Sequence, residues 1–280
     1  MVERASRGPR RALIADVRRN ALDDGPGIRS VVFFKGCPLR CVWCQNPETL
    51  SPRAELQRQG GRCIGCGACA GVCPHGAVEL TGGRRRHDAA RCRPCGSCVE
   101  VCPPAALRLV GREVPAAELA ATLLEDRPFY ASSGGGVTLS GGEPTLQLAH
   151  VVELCQLLSA GGVQVLLETC GHYPAEDVER ELVPLVDLVY FDVKLADPER
   201  HRAHTGADNA RILDNLGRLA RLLPGRVLPR VPLVPGITDD EDNLRAIAAL
   251  LRERGVERVA LLPYNPLGLP TRRELGLPTP

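Results

Sequence analysis

At 280 residues the chain is long enough for one large domain with its own core, or for a barrel-like domain carrying a small insertion. Its hydrophobic (44%) and charged (24%) fractions are ordinary for a folded protein, and a net charge of +2 gives no electrostatic reason to expect nucleic acid or anionic lipid as partner. No apolar run approaches the roughly 18 to 20 residues that cross a bilayer, and the basic start, residues 1–11, lacks the apolar stretch of a secretory signal. The expected compartment is therefore the cytoplasm, where thirteen cysteines at short, repeated spacings point to thiolates for metal rather than to disulfides.

Residues 1–10 read as a frayed basic tail, and residues 30–35 (SVVFFK) as a buried strand, from their β-branched and aromatic run. A cysteine loop follows at once. Residues 60–109 then shift to Cys, Gly, Pro and Arg and hold two copies of one pattern, RCIGCGACAGVCPHGAVEL and RCRPCGSCVEVCPPAALRL, an internal repeat. Beyond it helix-like and strand-like segments alternate. Helices are expected over 115–125, 146–159, 175–182, 197–203, 210–222 and 240–254, and strands over 136–139, 163–167, 188–193, 227–231 and 258–262. With 30–35 this makes six strands separated by helices, which predicts a parallel sheet with right-handed crossovers, an open or partial barrel. The segments divide as 1–59 for the first part of the barrel with its cysteine loop, 60–110 for the insertion and 111–280 for the remainder. Chemistry in such folds sits at the carboxyl ends of strands. Here those ends carry Cys37, Gly141 with Glu143, Glu168 with Thr169, Asp192 with Lys194, Pro235 with Gly236, and Tyr264 with Asn265.

Cys37, Cys41 and Cys44 form C-x3-C-x2-C within GCPLRCVWCQNPE. Three thiolates on one tight loop suit three irons of a [4Fe-4S] cluster, leaving the fourth iron open to a chelating ligand. A zinc site, or a cluster completed by a remote fourth cysteine, is the competing reading. After the next strand comes Gly141-Gly142-Glu143-Pro144, which alone is any turn. In register with the cysteine loop it resembles the radical S-adenosylmethionine (SAM) superfamily. Further pieces narrow the resemblance to the glycyl radical enzyme activating enzymes and carry it over almost the whole chain. They are Asp24-Gly25-Pro26-Gly27-Ile28-Arg29, Phe34-Lys35-Gly36-Cys37-Pro38, Asn46-Pro47-Glu48, Glu168-Thr169-Cys170-Gly171, Asp192-Val193-Lys194, Thr205-Gly206, Val234-Pro235-Gly236 and Leu262-Pro263-Tyr264-Asn265.

The repeat places Cys63, Cys66, Cys69 and Cys73 against Cys92, Cys95, Cys98 and Cys102, each as C-x2-C-x2-C-x3-C-P. It resembles the run of bacterial two-cluster ferredoxins, in which the fourth cysteine of each repeat ligates the other cluster. That resemblance assigns Cys63, Cys66, Cys69 and Cys102 to one [4Fe-4S] cluster and Cys92, Cys95, Cys98 and Cys73 to a second. A pair of zinc knuckles is the competing reading. Clusters closed by four cysteines offer no open iron, which leaves electron transfer or a structural role. Arg84, Arg85 and Arg86, between the repeats, either dock an acidic electron donor or form a solvated turn.

The family resemblance implies an α/β fold, a partial (β/α)6 radical SAM barrel with an inserted two-[4Fe-4S] ferredoxin-like domain. It implies three [4Fe-4S] clusters, SAM, and an oxygen-sensitive, anaerobic enzyme. Reductive cleavage of SAM gives methionine and a 5'-deoxyadenosyl radical, which takes a hydrogen from a glycine of a partner glycyl radical enzyme; reduced flavodoxin or ferredoxin is the implied electron donor. Trp43 is then expected near the adenine, and Gly141, Gly142 and Glu143 at the methionyl ammonium. Glu168, Thr169 and Asp192 match positions that in pyruvate formate-lyase activating relatives surround a monovalent cation beside the SAM carboxylate, with an ordinary hydrogen-bonded rim as the competing reading. Lys194 is expected at the SAM carboxylate or in a rim salt bridge, and Asp24 and Arg29 at the approach to the first strand or facing the partner's glycine loop. Cys155 reads as a small buried hydrophobe, and Cys170 stays outside the ligand set. Thr271-Arg272-Arg273 departs from the family pattern, so the partner-facing end is expected to differ. The competing functions are another radical SAM enzyme that modifies a peptide with the help of auxiliary clusters, and a ferredoxin-like electron carrier.

Overall fold

The computed structural model describes residues 10–277. In chain order the strands are β1 Arg11–Ala21, β2 Arg29–Phe34, β3 Glu55–Arg58, β4 Val78–Thr81, β5 Arg84–His87, β6 Leu107–Val110, β7 Arg112–Pro115, β8 Gly136–Gly141, β9 Gln164–Thr169, β10 Leu188–Asp192, β11 Val227–Leu233 and β12 Ala260–Pro263. Eight of them form one sheet in the order β12-β11-β10-β9-β8-β2-β1-β7. The six strands from β2 through β12 pair in parallel and coincide with the six expected segments. The fold is thus mixed α/β with a central parallel sheet.

One edge differs from the expectation. β1 runs antiparallel to β2 on one side and to β7 on the other, where the sequence predicts no element between the tail at 1–10 and the strand at 30–35. This added pair covers β2, every residue of which is buried, and removes an open edge beside the site. Residues 1–9 of the expected tail lie outside the described residues. Arg10 is tied down: its guanidinium donates to the Ala149 carbonyl at 3.0 Å, and its own carbonyl accepts from the Ala116 amide at 3.3 Å.

The crossover helices bury one face each. Helix Leu148–Ala160 sets Leu154 and Leu158 into the main core, Ala210–Leu222 sets Leu216 and Leu219, and Glu241–Glu253 sets Ile247 and Leu251. Each such side chain contributes roughly 2 kcal/mol by leaving water. Asp240 starts the last of these helices by accepting the Asn243 amide at 2.9 Å. The helix expected over 175–182 is instead broken into a single turn Ala175–Asp177, a π turn Val178–Leu182 and a 3-10 turn Val183–Leu185. Pro184, which supplies no amide, sits in that last turn and ends the helical ladder. No helix among the described residues is long and apolar enough to cross a membrane.

The strands within residues 60–110 belong to two small ladders rather than to the main sheet, against which Val110 packs through Ala15, Val31 and Phe33. β3, just before the segment, pairs with β6 at its far end and so brings the chain entering and leaving it together, while β4 pairs with β5 inside it. Each cysteine repeat carries one short helix, Ala68–Gly71 and Ser97–Glu100, and each is preceded by a left-handed glycine, Gly67 at φ 77° and Gly96 at φ 91°. The arginine run lies on β5 rather than in a solvated turn.

Candidate functional site

The cysteine loop leaves β2 through two residues that fix its direction. Lys35 is buried and donates from Nζ to the Glu48 carbonyl at 2.6 Å and to Glu55 Oε2 at 2.9 Å. Gly36 turns the chain at φ 100°. The loop is then held by backbone bonds from outside it: Cys37 N–H to Leu50 O at 3.2 Å, Arg40 N–H to Thr205 O at 2.6 Å, and Val42 N–H to His204 O at 3.1 Å. The Thr205-Gly206 motif is therefore the bracket of the cysteine loop.

One cleft at the carboxyl ends of the parallel strands brings together Cys37, Cys41, Cys44, Trp43, Gly141, Gly142, Glu168, Thr169, Asp192 and Lys194. Of the residues expected at these strand ends, Glu143 is not on its wall, and neither are Pro235, Gly236, Tyr264 and Asn265. Among the other residues that line it, Ser140, Cys170 and Arg230 bring polar groups that were not expected as ligands. Burial pushes the Cys41 thiol up to about 11 and the Cys44 thiol higher still. Cys37 shares a hydrogen bond with Cys170, which holds Cys37 below the ordinary thiol range against the opposing effect of burial and raises Cys170. Buried thiols of this kind become thiolates when a metal takes the proton's place, and the Lys194 ammonium favours that charge at Cys41. Trp43 is buried, its ring 6.3 Å from that of His204.

Glu143 has a different place from the one its motif suggests. Its side chain has 0% exposure. Oε1 accepts from the Thr145 amide at 3.2 Å and the Thr145 hydroxyl at 2.8 Å, and Oε2 accepts from the Thr169 hydroxyl at 2.9 Å and the Cys170 amide at 2.8 Å. The carboxylate is saturated by the protein and ties the GGEP turn to the ETCG turn. Its side chain is turned into the core rather than toward the cleft; Gly141 and Gly142 are the members of the motif that line the cleft. Gly141 has φ 108°, and a Cβ there would stand 2.4 Å from the Phe34 amide nitrogen, so only glycine lets β8 turn this close to β2.

On the β9, β10 and β11 side the cleft carries an ion-pair network. Arg230 Nη1 lies 2.7 Å from Glu168 Oε1 and Nη2 lies 3.2 Å from Asp192 Oδ1. Lys194 Nζ lies 3.0 Å from Asp192 Oδ2, and the Ser140 hydroxyl donates to Glu168 Oε2 at 2.5 Å. Burial opposes charge on all of these groups. It wins at Glu168, whose carboxyl is raised. At Asp192 the two cations outweigh it and hold the carboxyl low, and Lys194 and Arg230 are raised in return. Thr169 is spent elsewhere: its hydroxyl donates to Glu143 and accepts the Gly171 amide at 3.0 Å. Asp24 lines the same cleft, whereas Arg29 is buried, bonded to Thr138 at 2.7 Å and the Val137 carbonyl at 2.8 Å, and orders the approach to β2.

In the 60–110 segment one pocket is lined by Cys63, Cys66, Cys69 and Cys102, and another by Cys73, Cys92, Cys95 and Cys98. The fourth cysteine of each repeat thus faces the other repeat's pocket. Backbone amides point at two of these sulfurs, Ala77 to Cys73 at 3.3 Å and Ala106 to Cys102 at 3.2 Å. The Ala77 bond holds the Cys73 thiol below its ordinary range. Among the described residues no three His, Cys, Asp or Glu side chains converge on a point as a single metal ion requires.

The C-terminal helix Gly268–Leu275 packs on the cysteine loop. Arg272 is buried and donates to the Cys41 carbonyl at 3.3 Å, so the Thr271-Arg272-Arg273 departure includes a bracket of the cysteine loop rather than a wholly partner-facing surface. Glu274 accepts from Gln57 Nε2 at 2.6 Å, which links the helix to β3.

Comparison with known proteins shows the family. The radical SAM superfamily model matches residues 31–251. The choline trimethylamine-lyase activating enzyme of Oleidesulfovibrio alaskensis is 40% identical over 274 residues, 95% of this chain and 88% of that protein. The isethionate sulfite-lyase activating enzyme of Desulfovibrio desulfuricans is 39% identical over 274 residues, 96% of this chain and 88% of that protein. The trans-4-hydroxy-L-proline dehydratase activating enzyme of Clostridioides difficile is 40% identical over 262 residues, 91% and 85% of the two chains. With the cysteine loop, the GGE turn and the DVK lysine meeting in one cleft, and with relatives of this identity over nearly its full length, the chain belongs to the radical SAM superfamily and, within it, to the glycyl radical enzyme activating enzymes.

Proposed function

We propose that the chain activates a partner glycyl radical enzyme by abstracting hydrogen from one of its glycines, using an iron-sulfur cluster held by Cys37, Cys41 and Cys44 and SAM bound beside it. The observation that carries this reading is the single cleft that gathers those three thiols with Trp43, Gly141, Gly142 and Lys194. When bound, cluster and SAM supply one-electron cleavage to methionine and the 5'-deoxyadenosyl radical, which leaves as 5'-deoxyadenosine after taking the glycine hydrogen. The protein supplies position and dryness. The Gly141 turn would let backbone approach the methionyl ammonium, the Lys194 ammonium would meet the carboxylate, and buried Trp43 would form the adenine wall. Reduced, anaerobically reconstituted protein given SAM is expected to release 5'-deoxyadenosine, and with its partner present to generate a glycyl radical signal in electron paramagnetic resonance. No 5'-deoxyadenosine from iron-loaded, reduced protein overturns the proposal.

The 60–110 segment is proposed as a ferredoxin-like unit inserted between the 1–59 and 111–280 parts of a partial barrel, bringing the total to three [4Fe-4S] clusters. Two pockets of four cysteines each support it. Cys63 and Cys66 are exposed, and Arg85 lines their pocket, which suits an acidic donor such as reduced flavodoxin or ferredoxin. Cys102→Ala is expected to cost about four irons per chain. Adding Cys66→Ala to it should cost no more, whereas adding Cys95→Ala should remove the second set. Iron assays that give the reverse pattern would show uncrossed ligation.

A further inference from the structure

The resemblance to pyruvate formate-lyase activating relatives puts a monovalent cation among Glu168, Thr169 and Asp192, and the arrangement of these residues does not fit one. A hard cation needs several oxygens turned toward one point in a surround of net negative charge, and here each carboxylate oxygen is already turned to a donor of the protein. Here Glu168 gives one oxygen to Arg230 and the other to Ser140. Asp192 gives one to Arg230 and the other to Lys194. Thr169 is held between Glu143 and the Gly171 amide. The guanidinium spans carboxylates on two neighbouring strands, and its side chain is only 14% exposed. Arg230 and Asp192 are register partners across β10 and β11, so the backbone itself fixes that pairing, and the Tyr190 ring lies under the guanidinium at 5.0 Å. Glu168 and Asp192 face Arg230 and Lys194, and Asp24 and Arg18 add one charge of each sign to the same cleft, so no net negative charge is left to call for a further positive ion.

We infer that Arg230 is the built-in cation of this cleft: its guanidinium takes the place between Glu168 and Asp192, and SAM binds without any alkali cation. The inference rests on the SAM reading given above. Arg230 acts as a positioning residue, holding the two carboxylates so that Lys194 keeps its orientation. A planar, permanently charged fork does this without the loss that a free ion suffers when its concentration falls.

Equilibrium dialysis of labelled SAM against anaerobic holoprotein tests it, first in tetramethylammonium chloride and then in potassium or sodium chloride of the same ionic strength. The wild-type dissociation constants are expected to agree within about twofold, since screening is unchanged. Arg230→Gln is expected to weaken binding by about tenfold in tetramethylammonium and to recover when potassium fills the freed space. A wild-type affinity that rises tenfold with potassium overturns the inference, and so does an Arg230→Gln protein that binds SAM as the wild type does. If the glutamine variant does not fold, the wild-type salt series decides alone. Absence of SAM binding in every salt, from folded and iron-loaded protein, strikes the SAM reading itself and is told apart from cation dependence in that way.

Discussion

Glu143→Ala is expected to destabilise the fold by about 3 to 5 kcal/mol, the range for removing one member of a buried, charged hydrogen-bond network. It is expected to abolish 5'-deoxyadenosine formation as well. The carboxylate has no exposure and takes four donors, two from Thr145 and two from the Thr169–Cys170 turn. Alanine leaves the buried Thr145 and Cys170 amides without acceptors, at about 1 to 3 kcal/mol each. It also cuts the tie between the turn that presents Gly141 and Gly142 and the turn that presents Thr169 to the cleft. Glutamine keeps the volume but turns one side of the network into donors facing donors, so its effect is expected to be smaller and of the same sign. Thermal unfolding separates this account from the alternative suggested by the motif. Were the carboxylate acting on the SAM ammonium alone, alanine would raise the KM for SAM and leave the melting temperature where it is.

The parallel strands are legible because strands buried on both faces read as short apolar runs, as SVVFF and QVLLET do. Their ends announce the site because its ligands are local in sequence: three cysteines within one loop, or two glycines in one turn. β1 is not legible. RALIADVRRNA opens on a run of only four apolar residues, Ala12 to Ala15, and Asp16, Arg18, Arg19 and Asn20 then break it. What makes it a strand is the pairing with β2 and β7, a tertiary cause that local propensity does not carry. Arg230 is hidden for the same kind of reason. It is one arginine in VLPRVPL, and its partners Glu168 and Asp192 lie 62 and 38 residues away. For Glu143 the sequence names the residue and not the direction of its side chain: a carboxylate beside a reactive cleft and one turned into the core look alike as letters. The crossed cysteine pockets are readable only because the segment repeats, so that one copy predicts what the other must do.

Gly268→Ala is expected to cost the cysteine-loop cluster while leaving the 60–110 segment intact. A Cβ at position 268 would stand 2.2 Å from the Cys44 carbonyl oxygen and 2.9 Å from the Gln45 Cα, both backbone atoms that have no rotamer to yield. Helix Gly268–Leu275 cannot simply slide away, because Arg272 holds the Cys41 carbonyl and Glu274 holds Gln57 and Arg58 on β3. Overpacking of this kind costs about 1 to 3 kcal/mol in a well-packed interior. Here the strain falls on the segment that must hold Cys41 and Cys44 in ligand geometry. The expected result is a lower melting temperature, a loss of about four irons per chain with the remainder retained, and no 5'-deoxyadenosine. Gly61→Ala, with open space around it, is the matched control and should change none of the three. If Gly268→Ala keeps its full iron content and cleaves SAM, the C-terminal helix is not what holds the cysteine loop, and the loop's own bonds to Leu50, His204 and Thr205 suffice.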